Sequence, residues 1–174
     1  MSYFSGNNIK LIAFEREDID IVKGWINDER ISVGNCPRFP ICTYEQEMWY
    51  QDVYKDKTKK KMIISTKEGE KVGMVSLGRI DYKNQNSEIG IYIIPDHQQK
   101  GYAKEAISLL LRFSFNEMNM HKIYALICNY NKPSLELFKS LEFIHESTNK
   151  EIEFINGKFV DVEMFSIFKR NFSK

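Results

Sequence analysis

Six consecutive residues, Gln98, Gln99, Lys100, Gly101, Tyr102 and Ala103, have the types and order to hold a phosphate. They follow an apolar run that ends Ile93-Ile94-Pro95 and precede a long amphipathic stretch beginning at Ala103. A helix opening there leaves its first N–H groups without intrahelical acceptors. Those groups and the helix dipole favour an anion. Gly101 permits close approach of a ligand to the backbone, small Ala103 keeps the space open, and Lys100 and Lys104 add positive charge. The two commoner phosphate loops are excluded, because neither G-x-x-x-x-G-K-[ST] nor G-x-G-x-x-G occurs. Taken alone, the turn is equally compatible with an ordinary glycine before a helix.

A second candidate is Glu88. In a strand over residues 87–94, alternation puts Glu88, Gly90 and Tyr92 on one face and Ile89, Ile91 and Ile93 on the other. A carboxylate among apolar strand residues is placed to attract a cationic amine and take its proton. The competing reading is a solvated strand-edge glutamate. Glu29 lines a substrate mouth or is an ordinary surface acid. No metal is expected: Cys36, Cys42 and Cys128 are not clustered with other ligands, and His97, His121 and His145 are scattered.

The elements that position these residues follow from periodicity. Residues 9–14 read as a strand. Ile19, Val22, Trp25 and Ile26 repeat at helical spacing within 15–28. A turn-prone segment holds Gly34, Pro37 and Pro40, and Thr43-Tyr-Glu-Gln46 is read as a capping box opening a helix through about Tyr54. Residues 62–66 and 71–80 form a hairpin across Glu68-Gly69, and 81–86 is a polar turn into the strand carrying Glu88. A helix over 103–118, a strand over 122–128 and a helix over 133–141 follow, with proline near the start of the last. Residues 143–155 and 159–168 close the chain as a hairpin across Asn156-Gly157. The order implies one mixed α/β domain spanning residues 1–174.

Composition is consistent with this. A chain of 174 residues with 13% aromatics can bury a core, and a net charge of +1 gives no reason to expect nucleic acid or an anionic membrane as partner. The amino terminus has no basic region followed by an apolar one, no apolar run approaches a membrane span, and three cysteines without tight pairing fit reduced thiols. A cytoplasmic location is the default expectation.

The stretch from Ile93 to Lys104 resembles motif A of the GNAT superfamily of N-acetyltransferases, Q/R-x-x-G-x-G/A after a strand ending in a proline-containing turn. The segment Asn131-Lys-Pro-Ser-Leu-Glu-Leu-Phe-Lys-Ser-Leu-Glu-Phe143 resembles motif B, N-x-x-A-x-x-x-Y-x-x-x-G-F. Further similarity at 10–19, 25–28, 43–49, 87–92 and 154–161 is to the branch holding the ribosomal-protein N-terminal acetyltransferases and the spermidine N-acetyltransferases. The resemblance implies a largely antiparallel mixed sheet flanked by helices, and acetyl-CoA as cosubstrate. It implies that Gln98, Gln99, Lys100, Gly101, Tyr102, Ala103 and Lys104 hold the pyrophosphate, that Ile93 and Ile94 pair with the pantetheine arm from a splayed strand, and that Asn131 and Ser134 face that arm. Asn131 also reads as a plain helix cap. The implied reaction is direct attack of an amine on the thioester, with the Ile93 N–H as oxyanion donor, Glu88 as base and no covalent enzyme intermediate.

The chain departs from motif B twice. Phe138 stands where the family has a tyrosine assigned to protonate the departing thiolate, and Glu142 replaces the glycine of the tight turn. Tyr130 is the nearest alternative hydroxyl, Tyr92 another, and an unprotonated thiolate is a third possibility. The favoured acceptor is a small amine or polyamine, with a protein N-terminus as alternative. A non-catalytic acyl-CoA sensor and a nucleotide-binding protein are the competing classes. A homodimer or larger homo-oligomer fits the branch.

Overall fold

The computed structural model describes residues 2–32 and 39–172. Of the turn-prone segment, Gly34, Cys36 and Pro37 lie outside the described residues. The described chain runs β1 (Ile9–Ala13), α1 (Ile19–Ile26), α2 (Glu29–Ser32), α3 (Thr43–Lys55), β2 (Lys60–Thr66), β3 (Lys71–Asp81), β4 (Asn86–Ile93), α4 (Tyr102–Asn116), β5 (Lys122–Cys128), α5 (Lys132–Ser140), β6 (Ile144–Ile155) and β7 (Lys158–Phe168). The strands form one sheet in the order β1-β2-β3-β4-β5-β7-β6, with β4–β5 as its parallel pair.

Alternation along the strands separates two apolar layers. Ile64, Val75 and Ile89 face a core shared with Ala106, Ile107, Leu110 and Leu111 of α4 and Leu135 and Phe138 of α5. Their sequence neighbours Ile63 and Met74 face the opposite side, against Val22 and Trp25 of α1 and Phe14. The sheet is thus covered on both faces, and β4 can present different chemistry to each.

Three expectations change. The single helix over 15–28 is a short 3-10 turn at Arg16–Asp18 followed by α1 and then α2. Buried Asp18 sits at the break and pairs with Lys71. The capping box lies one residue earlier than the sequence pattern suggests. Cys42 is the N-cap and its N–H donates to Glu45 Oε2 at 2.8 Å, which leaves Gln46 to another role. The turn before Phe143 persists without glycine: Glu142 takes φ 65°, and the Phe143 N–H reaches the Phe138 carbonyl at 3.2 Å. The Asn156-Gly157 turn is as expected, with φ of 50° and 77°.

Candidate active site

The parallel strands β4 and β5 pair only at Asn86–Lys122, Ser87–Ile123 and Glu88–Tyr124. Beyond Glu88 they separate, since β5 continues in register with β7 to Cys128 while β4 stays with β3 to Ile93. The Ile94 N–H donates to the Val72 carbonyl of β3 at 3.0 Å. Strand alternation therefore turns the polar backbone groups of Ile93 the other way, into the gap. There the Ile93 carbonyl accepts from Gln98 Nε2 at 3.0 Å.

A cavity of about 500 Å³ occupies this gap. Its walls are Ile91, Tyr92 and Ile93 of β4, the turn residues His97, Gln98 and Gln99, the start of α4 at Gly101, Tyr102, Ala103 and Lys104, and Asn131, Pro133, Ser134 and Leu137 at α5. Arg30 and Ile31 of α2 complete it. Gly101 is the N-cap of α4 at φ 80°, and an added Cβ would meet nothing within 4 Å. Glycine is needed here for its backbone conformation. Gln99 takes the same left-handed region, φ 60°. Of the residues expected to hold the cosubstrate, all but Lys100 and Ile94 line this cavity. Asn131 caps α5, its Oδ1 accepting from the Ser134 N–H at 3.2 Å, so the capping reading and the lining position hold together. His97, in the turn before α4, is mostly covered, with its Nε2 3.0 Å from Glu70.

A second cavity, about 490 Å³, lies on the α1–α3 face of the sheet. Glu88, Gly90 and Tyr92 line it from β4, Met74 and Ser76 from β3, and Glu45, Gln46 and Trp49 from α3. Ile31, Ile91 and Tyr92 line both cavities, so the two meet across β4. Glu88 is where the alternation puts it, but the Arg79 guanidinium lies 3.3 Å from its Oε2, so it is not isolated among apolar groups. Glu45 is held below the usual glutamate range by the Cys42 backbone N–H and then by the Cys42 side chain. The cavity wall carries two carboxylates, one of them paired with Arg79, and one ammonium, that of Lys61, which sits 5.1 Å over the Trp49 ring.

Neither Tyr130 nor Phe138 is among the residues lining either cavity. Phe138 is buried edge-on against Phe143 at 4.9 Å, and Tyr130 lies in the turn after β5. Tyr92 is the tyrosine at the junction, its ring 6.0 Å from Trp25 and its hydroxyl 3.9 Å from the Met74 sulfur. Gln46 was not legible as a site residue, because its spacing from Thr43 fits a capping box.

A β4–β5 splay, a left-handed glycine opening the helix after it, and a cavity between are the geometry expected of an acyl-CoA site. Residues 8–144 match the acetyltransferase (GNAT) domain family, and the chain belongs to it. It is an acyltransferase with acetyl-CoA as cosubstrate and an amine as acceptor. It is 28% identical over 167 residues to the spermidine N(1)-acetyltransferase of Vibrio cholerae, covering 95% of this chain and 96% of that protein. A crystal structure of spermidine N-acetyltransferase from Vibrio cholerae in complex with CoA and spermine superposes with a TM-score of 0.89 at 28% identity, covering 94% of this chain and 96% of the other. The ribosomal-protein-serine acetyltransferase of Escherichia coli (strain K12) is 28% identical over 107 residues, 61% of this chain and 59% of that protein. No group able to hold a metal ion, and no helix long and apolar enough to cross a membrane, occurs among the described residues.

Proposed function

We propose that residues 1–174 form one catalytic domain that acetylates a primary amine of a polyamine or similar small amine. The observation that carries this is the meeting of the two cavities at Ile91 and Tyr92, with two carboxylates, Glu45 and Glu88, lining the acceptor side. A cationic chain suits that wall, as does the similarity to spermidine acetyltransferases along nearly the whole chain.

Acetyl-CoA supplies an acyl group activated for attack by an unprotonated amine. The residues at the splay fit it. The free N–H groups opening α4, with Gln98, Gln99 and Lys104 beside them, bind the pyrophosphate. Asn131 and Ser134 border the pantetheine arm. The Ile93 carbonyl, now held by Gln98, is a ready acceptor for an amide N–H of that arm, and the Ile93 N–H is the donor for the charge that develops on the acetyl oxygen. Glu88 draws in the cationic amine and removes its proton, directly or through water. Tyr92, at the junction, is better placed than Tyr130 to meet the leaving sulfur. Free Cys42 and Cys128 fit a cytoplasmic location. Exposed Ile152, Phe154 and Phe159 on the β6–β7 hairpin fit a homo-oligomer.

The test is release of CoA thiol across polyamines, amino sugars, aminoglycosides and N-terminal peptides. Polyamines are expected to give the highest kcat/KM. Turnover confined to peptides would move the assignment to protein N-termini, and acetyl-CoA binding without turnover would make the chain a sensor.

A further inference from the structure

Gln46 is fully buried, and it is among the residues lining the acceptor cavity. Neither its Oε1 nor its Nε2 has a hydrogen-bond partner among the described residues. An orphaned carboxamide in a folded interior is costly, and most buried polar atoms are paired. The local sequence offers no structural reason for it. The helix cap that the pattern Thr43–Gln46 suggests is made by Cys42 and Glu45 instead, so Gln46 caps nothing. A leucine would fill similar volume without the penalty. Glu88 and Glu45 line the same cavity.

We propose that Gln46 is a specificity-determining residue of the acceptor site, reading a second nitrogen of the amine substrate. The inference rests on the polyamine reading above. An internal secondary ammonium carries two N–H donors. One is taken by Gln46 Oε1, and the other by a cavity carboxylate, for which Glu88 and Glu45 are the candidates. Nε2 is the donor left for a polar atom entering with this hydrated cation. A chain with a methylene in place of that nitrogen leaves the carboxamide unpaired in the complex, and binds more weakly for that reason.

The experiment compares spermidine with the straight-chain octane diamine of equal length, on the wild-type protein, Gln46→Leu and Gln46→Glu. The wild type is expected to prefer spermidine by about tenfold or more in kcat/KM, the scale of one buried hydrogen bond to a charged group. Gln46→Leu is expected to bring the two substrates within about threefold of each other through the KM for spermidine, with the KM for acetyl-CoA unchanged. Its melting temperature rises, because an orphaned amide is removed. Gln46→Glu, which keeps an acceptor oxygen, retains the preference. A merely structural role would shift stability and leave the substrate ratio alone. Should leucine not fit, unbranched Gln46→Met carries the same comparison. An undiminished spermidine preference in the folded apolar variant overturns the inference while leaving polyamine acetylation standing. A wild type that acetylates neither amine overturns both.

Discussion

The two cavities on either side of β4 are built differently. The proposed acyl-CoA side is shaped by backbone: a strand splay, a left-handed glycine and the open amino end of one helix, drawn from a few neighbouring segments between Ile91 and Leu137 with α2 at the rim. The acceptor side is made by side chains brought from α1, α3, β2, β3 and β4, between Ile26 and Tyr92. Backbone recognition of a constant pyrophosphate needs a short local pattern. Side-chain recognition of an amine draws on scattered positions, each free to differ between acceptors.

Substitutions on each side should separate the two. The largest effect is expected from Glu88→Gln, which lowers kcat by about a hundredfold, at the lower end for a general base, and leaves acetyl-CoA affinity within twofold to threefold. Wild-type turnover at every pH would remove Glu88 as base. Gly101→Val acts on the other side. A β-branched residue at φ 80° costs about 1–2 kcal/mol and crowds the pyrophosphate, so calorimetry should show acetyl-CoA affinity down tenfold or more in a folded protein. Unchanged affinity would place the pyrophosphate elsewhere. Tyr130→Phe, outside both walls, should lower kcat by about tenfold at most. A thousandfold loss would make it the acid that Phe138 cannot be.

The smallest effects are on stability rather than turnover. Glu142 holds φ 65° where glycine costs nothing, so Glu142→Gly should stabilise the fold by about 1 kcal/mol in denaturant titration, with turnover unchanged. For Glu45 the sign is that of a depressed carboxyl. The stability it lends to the amino end of α3 is present above the unfolded glutamate pKa and is lost as pH falls through the lower folded value. An NMR titration giving Glu45 an ordinary glutamate pKa would show that the Cys42 cap does not form in solution.

Much of the fold was legible because strands and long helices repeat their apolar residues with the right period. Residues 103–118 and 122–128 are within two residues of α4 and β5 at each end. The misread positions share a cause. The helix over 15–28 has a continuous apolar stripe, but the ion pair of buried Asp18 with part-exposed Lys71, 53 positions away, falls where α1 begins. The cap of α3 falls on Cys42, a residue type with little capping preference, and so hid Gln46. Arg79, which sits by Glu88 across a register shift in β3, could not be paired with it from spacing alone. Glu142 shows the converse, for a backbone turn survives a side chain that local preference disfavours because Phe138 and Phe143 pack across it.

The central claim is that cosubstrate and amine occupy separate, joined cavities and react directly. Initial rates with acetyl-CoA and spermidine varied together test it. Double-reciprocal lines that intersect, with one CoA released per acetylated amine and no acetylated protein by mass spectrometry, are the predicted result. Parallel lines, with an acetyl group retained on the protein after acetyl-CoA alone, would contradict it.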